Sequence, residues 1–347
     1  MRVQWALPPA LNSWQRLREA RVSVEVDRRW RWRSKLRRCF SLHRRPAGTL
    51  AARSPFSRSH RMRSLPLRRA SCTAQWKAAS GSVSSYKLLE SYPHDPAAFT
   101  QGLVYAPEAF AVADSLTDAF FESTGLVHHS SLRCVDRCSG AVLRAVAVPP
   151  PHFAEGLAYL PLPRHRLVQL TWLSGCGFVY DASTLQRLHH FECDYEGWGA
   201  TYDAHRDCLY VSDGTDCVRV LDPDTCAVRQ VQRVRLPPHL REVYRERGVP
   251  SAIWHLNDLE WVPGADELWC NVFLSDFVVV VDPATWCAKR WIDLRGLLQP
   301  EHQLPNHPVD VLNGLAWDRQ RHCMYATGKC WPRLYAIRET ESCRGGT

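Results

Sequence analysis

The chain has 347 residues, of which 45% are apolar and 14 are tryptophan, enough to build a sizeable hydrophobic core. No segment approaches the roughly 18 consecutive apolar residues that a membrane helix needs, so a membrane-spanning helix is excluded. The net charge of +9 does not indicate a nucleic-acid surface, because residues 1–85 hold 20 Lys and Arg against three acids, whereas residues 86–347 hold 24 against 32.

Residues 1–85 form an Arg-rich, Ser-rich and acid-poor segment, as in RRWRWRSKLRRCFSLHRR. This composition is typical of mitochondrial transit peptides, and the segment lacks the apolar core of a secretory signal. The alternative is a disordered extension upstream of a start at Met62. We therefore divide the chain into a basic extension at 1–85, disordered or targeting, and a folded catalytic domain at 86–340.

One short motif occurs five times in the domain. It begins with a variable leading residue, continues with Gly-Leu in most copies, and has an aromatic residue in its fifth place. The copies are QGLVY at 101–105, EGLAY at 155–159, WGATY at 198–202, NDLEW at 257–261 and NGLAW at 313–317. Each copy is followed by a second alternating segment, and usually by a third that ends in Asp before a turn, as in VYDAST and VLDPDT. Repeats of about 40–60 residues with about four short strands each predict an all-β fold, a five-bladed β-propeller.

The two ends of the domain are expected to close the ring. YKLLESY near 86–92 precedes the first copy of the motif, and RLYAI at 333–337 follows the last. If the first strand completes the last blade, the exposed sheet edges disappear. A β-sandwich, the competing fold, would not explain five copies of one two-strand motif.

The leading residue of each copy is predicted to lie at one mouth of the central channel, because the innermost strand of each blade runs along that channel. These residues are Gln101, Glu155, Trp198, Asn257 and Asn313. The ends of the second strands are expected to add Glu122, Trp172, Asp213, Asn271 and Lys329. Amides, a carboxylate, indoles and an ammonium indicate a site. The alternative is that the lysine and the asparagines are solvated strand ends or turns.

The cysteines and histidines do not indicate a metal or cofactor. Fourteen cysteines are scattered without a zinc pattern, so buried reduced thiols are expected, and a Cys134–Cys138 pair or adventitious metal is the minor alternative. Five histidines are interpreted as surface or turn residues: His94, His128, His129, His255 and His307.

A set of motifs, in order and at sensible spacing, resembles the plant-type glutaminyl cyclases of the glutamine cyclotransferase family. The motifs are YPHDPAAFTQGL at 92–103, FFESTG at 120–125, FAEGL at 153–157, LTW at 170–172, EGWG at 196–199, SDGT at 212–215, LNDLEWV at 256–262 and TGKCWPRLY at 327–335. The resemblance covers about 86–337. Residues 1–85 match no part of it, and the insert at 108–120 is longer than usual.

The resemblance implies a five-bladed propeller that converts N-terminal Gln, and more slowly Glu, of peptides into pyroglutamate with release of ammonia. It also implies a binding face made of Phe99, Gln101, Phe153, Glu155, Trp172, Trp198, Asn257, Asp258, Trp269 and Lys329. Plant members are secreted, which leaves a secretory and a mitochondrial location both open for this chain. The expected partners are such peptides or proteins, bound by a monomer, and not nucleic acid.

The residues fit this chemistry on their own terms. Glu155 is the only carboxyl among the leading residues, and it can move a proton from the attacking amine to the leaving nitrogen. Asn257 and Lys329 can donate to the oxyanion, and Trp172 and Trp198 can exclude water. Indole walls favour the protonated form of Glu155 and Lys329 opposes it, so the sequence leaves the balance open.

Two other functions stay open at this stage. A non-catalytic propeller could bind peptide N-termini on the same face, and it would tolerate the loss of acid–base chemistry at Glu155. A propeller lactonase would need calcium held by several carboxylates, which the leading residues do not offer.

Overall fold

The computed structural model describes residues 83–109 and 118–340. The predicted extension lies outside the described residues except for its last three, and so does most of the 108–120 insert. Within the described residues the chain is mostly β, which confirms the predicted fold class at that level.

Twenty strands account for most of the described chain. In chain order they are β1 Val83–Pro93, β2 Thr100–Tyr105, β3 Ala119–Thr124, β4 Ser131–Asp136, β5 Val142–Ala147, β6 Ala154–Leu160, β7 Arg166–Thr171, β8 Cys176–Asp181, β9 Arg187–Glu192, β10 Ala200–Asp203, β11 Cys208–Ser212, β12 Cys217–Leu221, β13 Val228–Arg233, β14 Leu256–Val262, β15 Glu267–Val272, β16 Phe277–Asp282, β17 Cys287–Asp293, β18 Leu312–Asp318, β19 Cys323–Gly328 and β20 Arg333–Thr340. The described helices are α1, Leu240–Glu246, and the 3₁₀ turns Pro107–Ala109 and Pro300–His302.

The strands form three four-stranded sheets, β2–β5, β6–β9 and β10–β13, and one eight-stranded sheet in the order β14-β15-β16-β17-β1-β20-β19-β18. Consecutive strands within each sheet pair antiparallel. The predicted Asp turns follow β4, β8, β12 and β16. In the β8 turn, for example, the Thr184 amide donates to Asp181 Oδ1 at 2.8 Å, so the aspartate bonds to its own loop as the sequence indicated.

The first strands of the repeats lie next to one another. β2 neighbours β6 and β18, β10 neighbours β6 and β14, and β14 neighbours β18, so the five strands form a closed cycle. The glycine after the leading residue permits this approach: a Cβ on Gly199 would lie 2.0 Å from the Asn257 carbonyl oxygen. Apolar side chains of adjacent sheets pack between them, as Phe121 does with Leu157.

Strand β1 joins the two ends of the domain. It pairs antiparallel with β20 over most of its length and parallel with β17 only at Val83 and Ser84. The predicted pairing of the first and last strands is therefore confirmed. Without β1, the backbone groups of β20 would form an open sheet edge.

Removal of β1 should destabilise the domain, whereas removal of the preceding residues should not. We expect a chain that begins at Ser82 to unfold cooperatively at the temperature of the full chain, because it keeps every β1–β20 pair. A chain that begins at His94 lacks these pairs and should lose its cooperative transition. Thermal unfolding followed by circular dichroism measures both, and equal melting of the two truncations would contradict the role of β1.

Candidate active site

Four of the five leading residues occupy the same place, the second residue of a first strand. They are Gln101 on β2, Glu155 on β6, Asn257 on β14 and Asn313 on β18, and all four are buried. The fifth, Trp198, comes two residues before β10 and is half-buried. We call these five positions the inner ring.

A second set of five residues lies at the same end, because the second strands run antiparallel to the first. Each is the first residue after a second strand: Gly125, Trp172, Asp213, Phe273 and Lys329. In four of them the backbone N–H donates to the carbonyl two residues before the inner-ring residue, as Lys329 does to Val311 at 3.0 Å. We call these the wall positions.

The wall positions correct two predictions. Glu122 lies two residues before the end of β3 and Asn271 one residue before the end of β15, both inside their strands, so Gly125 and Phe273 occupy the places expected for them. The sequence did not show this, because each strand continues beyond the polar residue predicted as its end, to Thr124 in β3 and to Val272 in β15.

Glu155 is the central buried carboxyl. It is 6% exposed, and its Oε1 accepts a hydrogen bond from Gln101 Nε2 at 3.0 Å. Burial raises the pKa of Glu155 well above its ordinary value, while Lys329 opposes the shift, and Glu196 and Asp258 reinforce it. The sequence left open whether burial or Lys329 dominates at Glu155. In the structure the effect of burial is the larger, and it favours the protonated form of Glu155.

Lys329 carries a buried ammonium beside this carboxyl. It is 5% exposed, and its Nζ lies 5.0 Å from the ring centre of Phe99 and 5.2 Å from that of Phe273. Burial lowers the pKa of Lys329, and the charges of Glu155, Asp310 and Asp258 partly offset that effect. The contacts exclude the alternative of a solvated lysine at a strand end, and the two rings give the ammonium cation–π partners.

Asp258 is a second buried carboxyl of the site. Glu155 is the only carboxyl of the inner ring, but it is not the only one in the site. One oxygen of Asp258, Oδ2, accepts from the backbone N–H of Leu315 at 2.8 Å and thereby links β14 to β18. Burial raises the pKa of Asp258 well above its ordinary value, although the Leu315 N–H lowers it and Lys329 lowers it further.

Aromatic rings enclose the group. Phe153 makes edge contacts with Phe99 at 6.2 Å and with Trp172 at 5.9 Å, measured between ring centres. On the other side Trp198 meets Phe273 at 5.5 Å. The four predicted aromatics Phe99, Phe153, Trp172 and Trp198 are therefore brought together, and Phe273 joins them.

Glu196 orients both indoles of this wall. Its Oε2 accepts from Trp172 Nε1 at 3.0 Å and from Trp198 Nε1 at 3.4 Å. Neither Glu196 nor Phe273 was predicted as a site residue. The EGWG motif contained the signal for Glu196, because it places a carboxylate two residues before an indole of the inner ring.

Buried acceptor atoms surround the same place. The oxygens Gln101 Oε1, Asn257 Oδ1, Asp258 Oδ1 and Asn313 Oδ1 accept no hydrogen bond from any described residue. Asn313 uses its other amide atom, since Nδ2 donates to the Thr100 carbonyl at 3.1 Å. An unpartnered buried acceptor costs about 1–3 kcal/mol, so this cluster indicates a place for a ligand rich in N–H donors.

Trp269 is not part of the site. It is buried on β15 within the hydrophobic cluster that includes Val262 and Val278, and its Nε1 donates to Glu267 at 3.3 Å. The prediction that Trp269 contacts substrate was therefore wrong. Its side chain packs in the core between the β14–β17 and β18–β20 halves of the eight-stranded sheet, and motif similarity alone did not reveal the direction in which it points.

Glu122 belongs to a structural ion cluster instead. It is fully buried and accepts from Thr100 Oγ1, Arg133 and His94 Nε2, the last at 3.0 Å. Burial opposes ionisation, but His94 and Arg133 lower the pKa of Glu122 to about 2. His94 is 6% exposed, so its interpretation as a surface or turn residue was wrong.

The environment of His94 requires a charged imidazole. Its Nε2 faces the ionised Glu122 and its Nδ1 lies 2.7 Å from the Trp331 carbonyl, so both nitrogens must donate. Burial lowers the pKa of His94, but Glu122 and the two hydrogen bonds outweigh that effect and raise it overall. The imidazolium thus anchors the turn that carries Lys329.

The described residues contain no group of three or more His, Cys, Asp or Glu side chains that could hold a metal ion. Cys134 is a buried free thiol and Cys138 an exposed one. Nor does any helix within residues 83–109 and 118–340 combine the length and apolar character needed to cross a membrane.

Fold and site together define a mostly-β protein with a desolvated carboxyl and ammonium inside an aromatic wall, at one end of a cycle of strands. The family model described as glutamine cyclotransferase matches residues 62–338. The chain therefore belongs to the glutamine cyclotransferase family. The resemblance seen in the motifs is confirmed, and with it the prediction of an enzyme.

Two known proteins are similar over most of the domain. A glutaminyl-peptide cyclotransferase of Arabidopsis thaliana is 36% identical over 278 residues, which cover 76% of each chain. The crystal structure of Myxococcus xanthus glutaminyl cyclase is 31% identical, with a TM-score of 0.61, over 76% of this chain and 99% of that one.

The charge of His94 should make stability depend on pH. A raised folded pKa gives stabilisation that is complete below the ordinary value of about 6.5 and is lost as pH rises through the folded pKa. We expect His94→Gln to lower the free energy of unfolding most near pH 6 and progressively less above it. Denaturant unfolding across that range measures the difference.

The control is His129→Gln, since His129 is exposed. It should leave the pH profile of stability unchanged. A His94→Gln deficit that stays constant from acid to alkaline pH would contradict the imidazolium assignment.

Proposed function

We propose that this chain converts the N-terminal glutamine of peptides and proteins into pyroglutamate and releases ammonia. The observation that carries the proposal is the desolvated Glu155–Lys329 pair inside an aromatic wall, surrounded by unpartnered acceptor oxygens. A non-catalytic protein that only binds peptides would gain nothing from two buried ionisable groups, because the burial of each costs desolvation free energy.

The unpartnered acceptors match the donors of the substrate. An N-terminal glutamine presents an α-amine and a side-chain amide, which together carry several N–H groups. The free oxygens of Gln101, Asn257, Asp258 and Asn313 can accept from them. Binding then satisfies atoms that are otherwise buried without partners, and it fixes both ends of the flexible glutamine side chain.

Glu155 moves the proton in the reaction. The neutral α-amine attacks the side-chain amide carbon and a ring C–N bond forms. Glu155, protonated at rest, gives its proton to the amide nitrogen and takes up the proton that the amine loses, and the bond to the amide nitrogen breaks as ammonia leaves. A raised pKa suits this double role, because an acid–base group works best when its pKa is close to the working pH.

Lys329 and Asn257 stabilise the oxygen that becomes negative. The ammonium of Lys329 is held between Phe99 and Phe273, so it is desolvated and its interaction with a developing oxyanion is strong. One such donor is worth roughly 3 kcal/mol of transition-state stabilisation. The Asn257 amide is shorter and neutral, and it contributes to substrate binding as well as to the transition state.

The aromatic wall excludes water and folds the substrate. Trp172 and Trp198 are fixed by the common acceptor Glu196, so their faces stay in place when the site is empty. A preorganised wall lets the glutamine bend toward a near-attack shape without further ordering of the protein.

For the architecture we propose a five-bladed propeller over residues 86–340. Its support is the closed cycle of first strands and the five hydrophobic clusters. Four clusters join two of the sheets, and the fifth lies between the β14–β17 and β18–β20 halves of the eight-stranded sheet. The fifth blade would consist of β18, β19, β20 and β1. We also propose that N-terminal Glu reacts more slowly and that the enzyme acts as a monomer.

Replacement of the catalytic carboxyl tests the proposal most simply. We expect Glu155→Gln to lower kcat by at least about 10²-fold, because it cannot exchange a proton. Its fold should survive, since an uncharged amide is easier to bury than a carboxyl. Mass spectrometry of a Gln-initiated peptide follows the loss of ammonia. Glu192→Gln, at an exposed residue, is the control, and cyclisation by Glu155→Gln at the wild-type rate would refute the assignment.

Lys329 and Asn257 should differ in their kinetic effects. Lys329→Met should lower kcat more than it changes KM, the mark of a contact made mainly in the transition state. Lys329→Arg should rescue poorly, because a planar guanidinium has a different shape. Asn257→Ala should also raise KM. Steady-state kinetics on a Gln-initiated dipeptide measures all three.

Lys289→Met serves as the matched control, because Lys289 on β17 pairs with Glu267, at the end of β15 opposite the wall position Phe273. It should leave kcat and KM unchanged. If Lys329→Met changes KM alone, the lysine only steers substrate, and the oxyanion role passes to Asn257.

A further inference from the structure

Exposed apolar side chains gather at the site end of the domain. Among the described residues, the exposed large hydrophobics include three that directly follow wall positions and a fourth three residues before Asn257 of the inner ring: Leu126, Leu173, Leu274 and Trp254. We call these four the apolar rim. Trp254 is 56% exposed, and a tryptophan so open to water lacks the burial that normally accounts for one.

Three members of the rim hold equivalent places in their repeats. Leu126, Leu173 and Leu274 each come immediately after a wall position, that is after Gly125, Trp172 and Phe273. Each leucine is therefore one residue farther from the inner ring than the wall. A Cβ on Gly125 would lie 2.4 Å from the Phe153 ring and 3.0 Å from Gln101, which shows how close this turn comes to the site.

The backbone at two of these leucines is unfavourable for leucine. Leu126 has φ = 84° and Leu274 has φ = 65°, both in the left-handed region that favours glycine. The equivalent place in the third repeat is Gly214, with φ = 74°. Neither backbone preference nor burial accounts for a leucine at these positions.

Trp254 reaches the rim from the loop before β14. Its neighbour His255 packs against Phe273 at 6.4 Å between ring centres, and Phe273 also contacts Trp198 and Lys329. Trp254 and Leu274 are thus the sequence neighbours of two rings that contact each other, His255 and Phe273, and Phe273 in turn contacts Lys329.

We propose that the apolar rim binds an apolar side chain in the second or third position of the peptide substrate, just after the reacting glutamine. The proposal rests on the function proposed above. With the α-amine and side-chain amide inside the ring, the chain must leave through the α-carbonyl toward solvent, and each further residue advances it by up to about 3.3–3.6 Å. The next side chains then meet the rim, where burial against leucine and tryptophan is favourable.

Paired substrates test the rim. Two peptides that differ only in Leu or Ser after the N-terminal Gln are compared on wild type, Leu274→Ser and Leu188→Ser. Leu274 and Leu188 are both 48% exposed, but Leu188 lies on the outer strand β9. We expect wild type to prefer the Leu peptide by about fivefold or more in kcat/KM, through KM. Leu274→Ser should lose most of this preference at unchanged kcat, and Leu188→Ser should keep it.

A second variant guards against an effect of the backbone. Leu274→Gly removes the side chain and relieves the left-handed strain, so it should fold at least as well as wild type and lose the same preference. Equal turnover of both peptides by wild type, or equal behaviour of the Leu274 and Leu188 variants, would overturn the proposal.

Two further outcomes separate the possible failures. Reversible dimerisation in sedimentation experiments that is lost in Leu274→Ser would show that the rim binds a second copy of the chain, and it would overturn the proposal. Failure to cyclise even the Ser peptide would overturn the proposed function itself. Cyclisation of both peptides without preference would overturn only the rim.

Discussion

The site depends on the removal of one carboxyl and one ammonium from water. Glu155 and Lys329 are both nearly inaccessible, and burial shifts the pKa of each toward its neutral form. The charge of each group offsets part of the desolvation free energy of the other, and the buried carboxyl of Asp258 also interacts with both. Such groups are expensive to keep in a core unless they do chemistry. The aromatic wall, the Glu196 contacts to the indoles and the His94 anchor all keep this desolvated arrangement in place.

The repeated pair of strands builds this environment from only two positions in each repeat. In four repeats a first strand contributes one side chain to the inner ring, and in the third repeat the segment just before β10 contributes Trp198. The antiparallel second strand returns, and the residue after it forms the wall position at the same end. The backbone bond from Lys329 to Val311 and its equivalents fix the two positions together. Because the scaffold is repeated, the chemistry depends largely on which side chains occupy these ten places, together with neighbours such as Glu196 and Asp258. A glutamate in the second repeat and a lysine in the last thereby come close enough to affect each other's pKa, although they are far apart in sequence.

Much of this was predictable because it follows from periodicity. Alternating strands, Asp turns and the repeated motif identified the β-rich fold and placed Gln101, Glu155, Asn257 and Asn313 together. What failed depends on register and direction. The sequence did not show where β3 and β15 end, so Phe273 was missed and Glu122 misplaced. It did not show that Trp269 points into the core, or that His94 is buried, because both depend on contacts with distant segments that a local pattern does not encode.

The state of the Glu155 proton tests the account most directly. Infrared difference spectroscopy between wild type and Glu155→Gln isolates the carboxyl band of this residue from that of Asp258. The account predicts the band of a protonated carboxylic acid at pH values where an exposed glutamate is already ionised, and this band disappears in the variant. A carboxylate band that forms over the ordinary range of an exposed glutamate would show that Lys329 outweighs burial, and it would contradict the raised pKa on which the role of Glu155 rests.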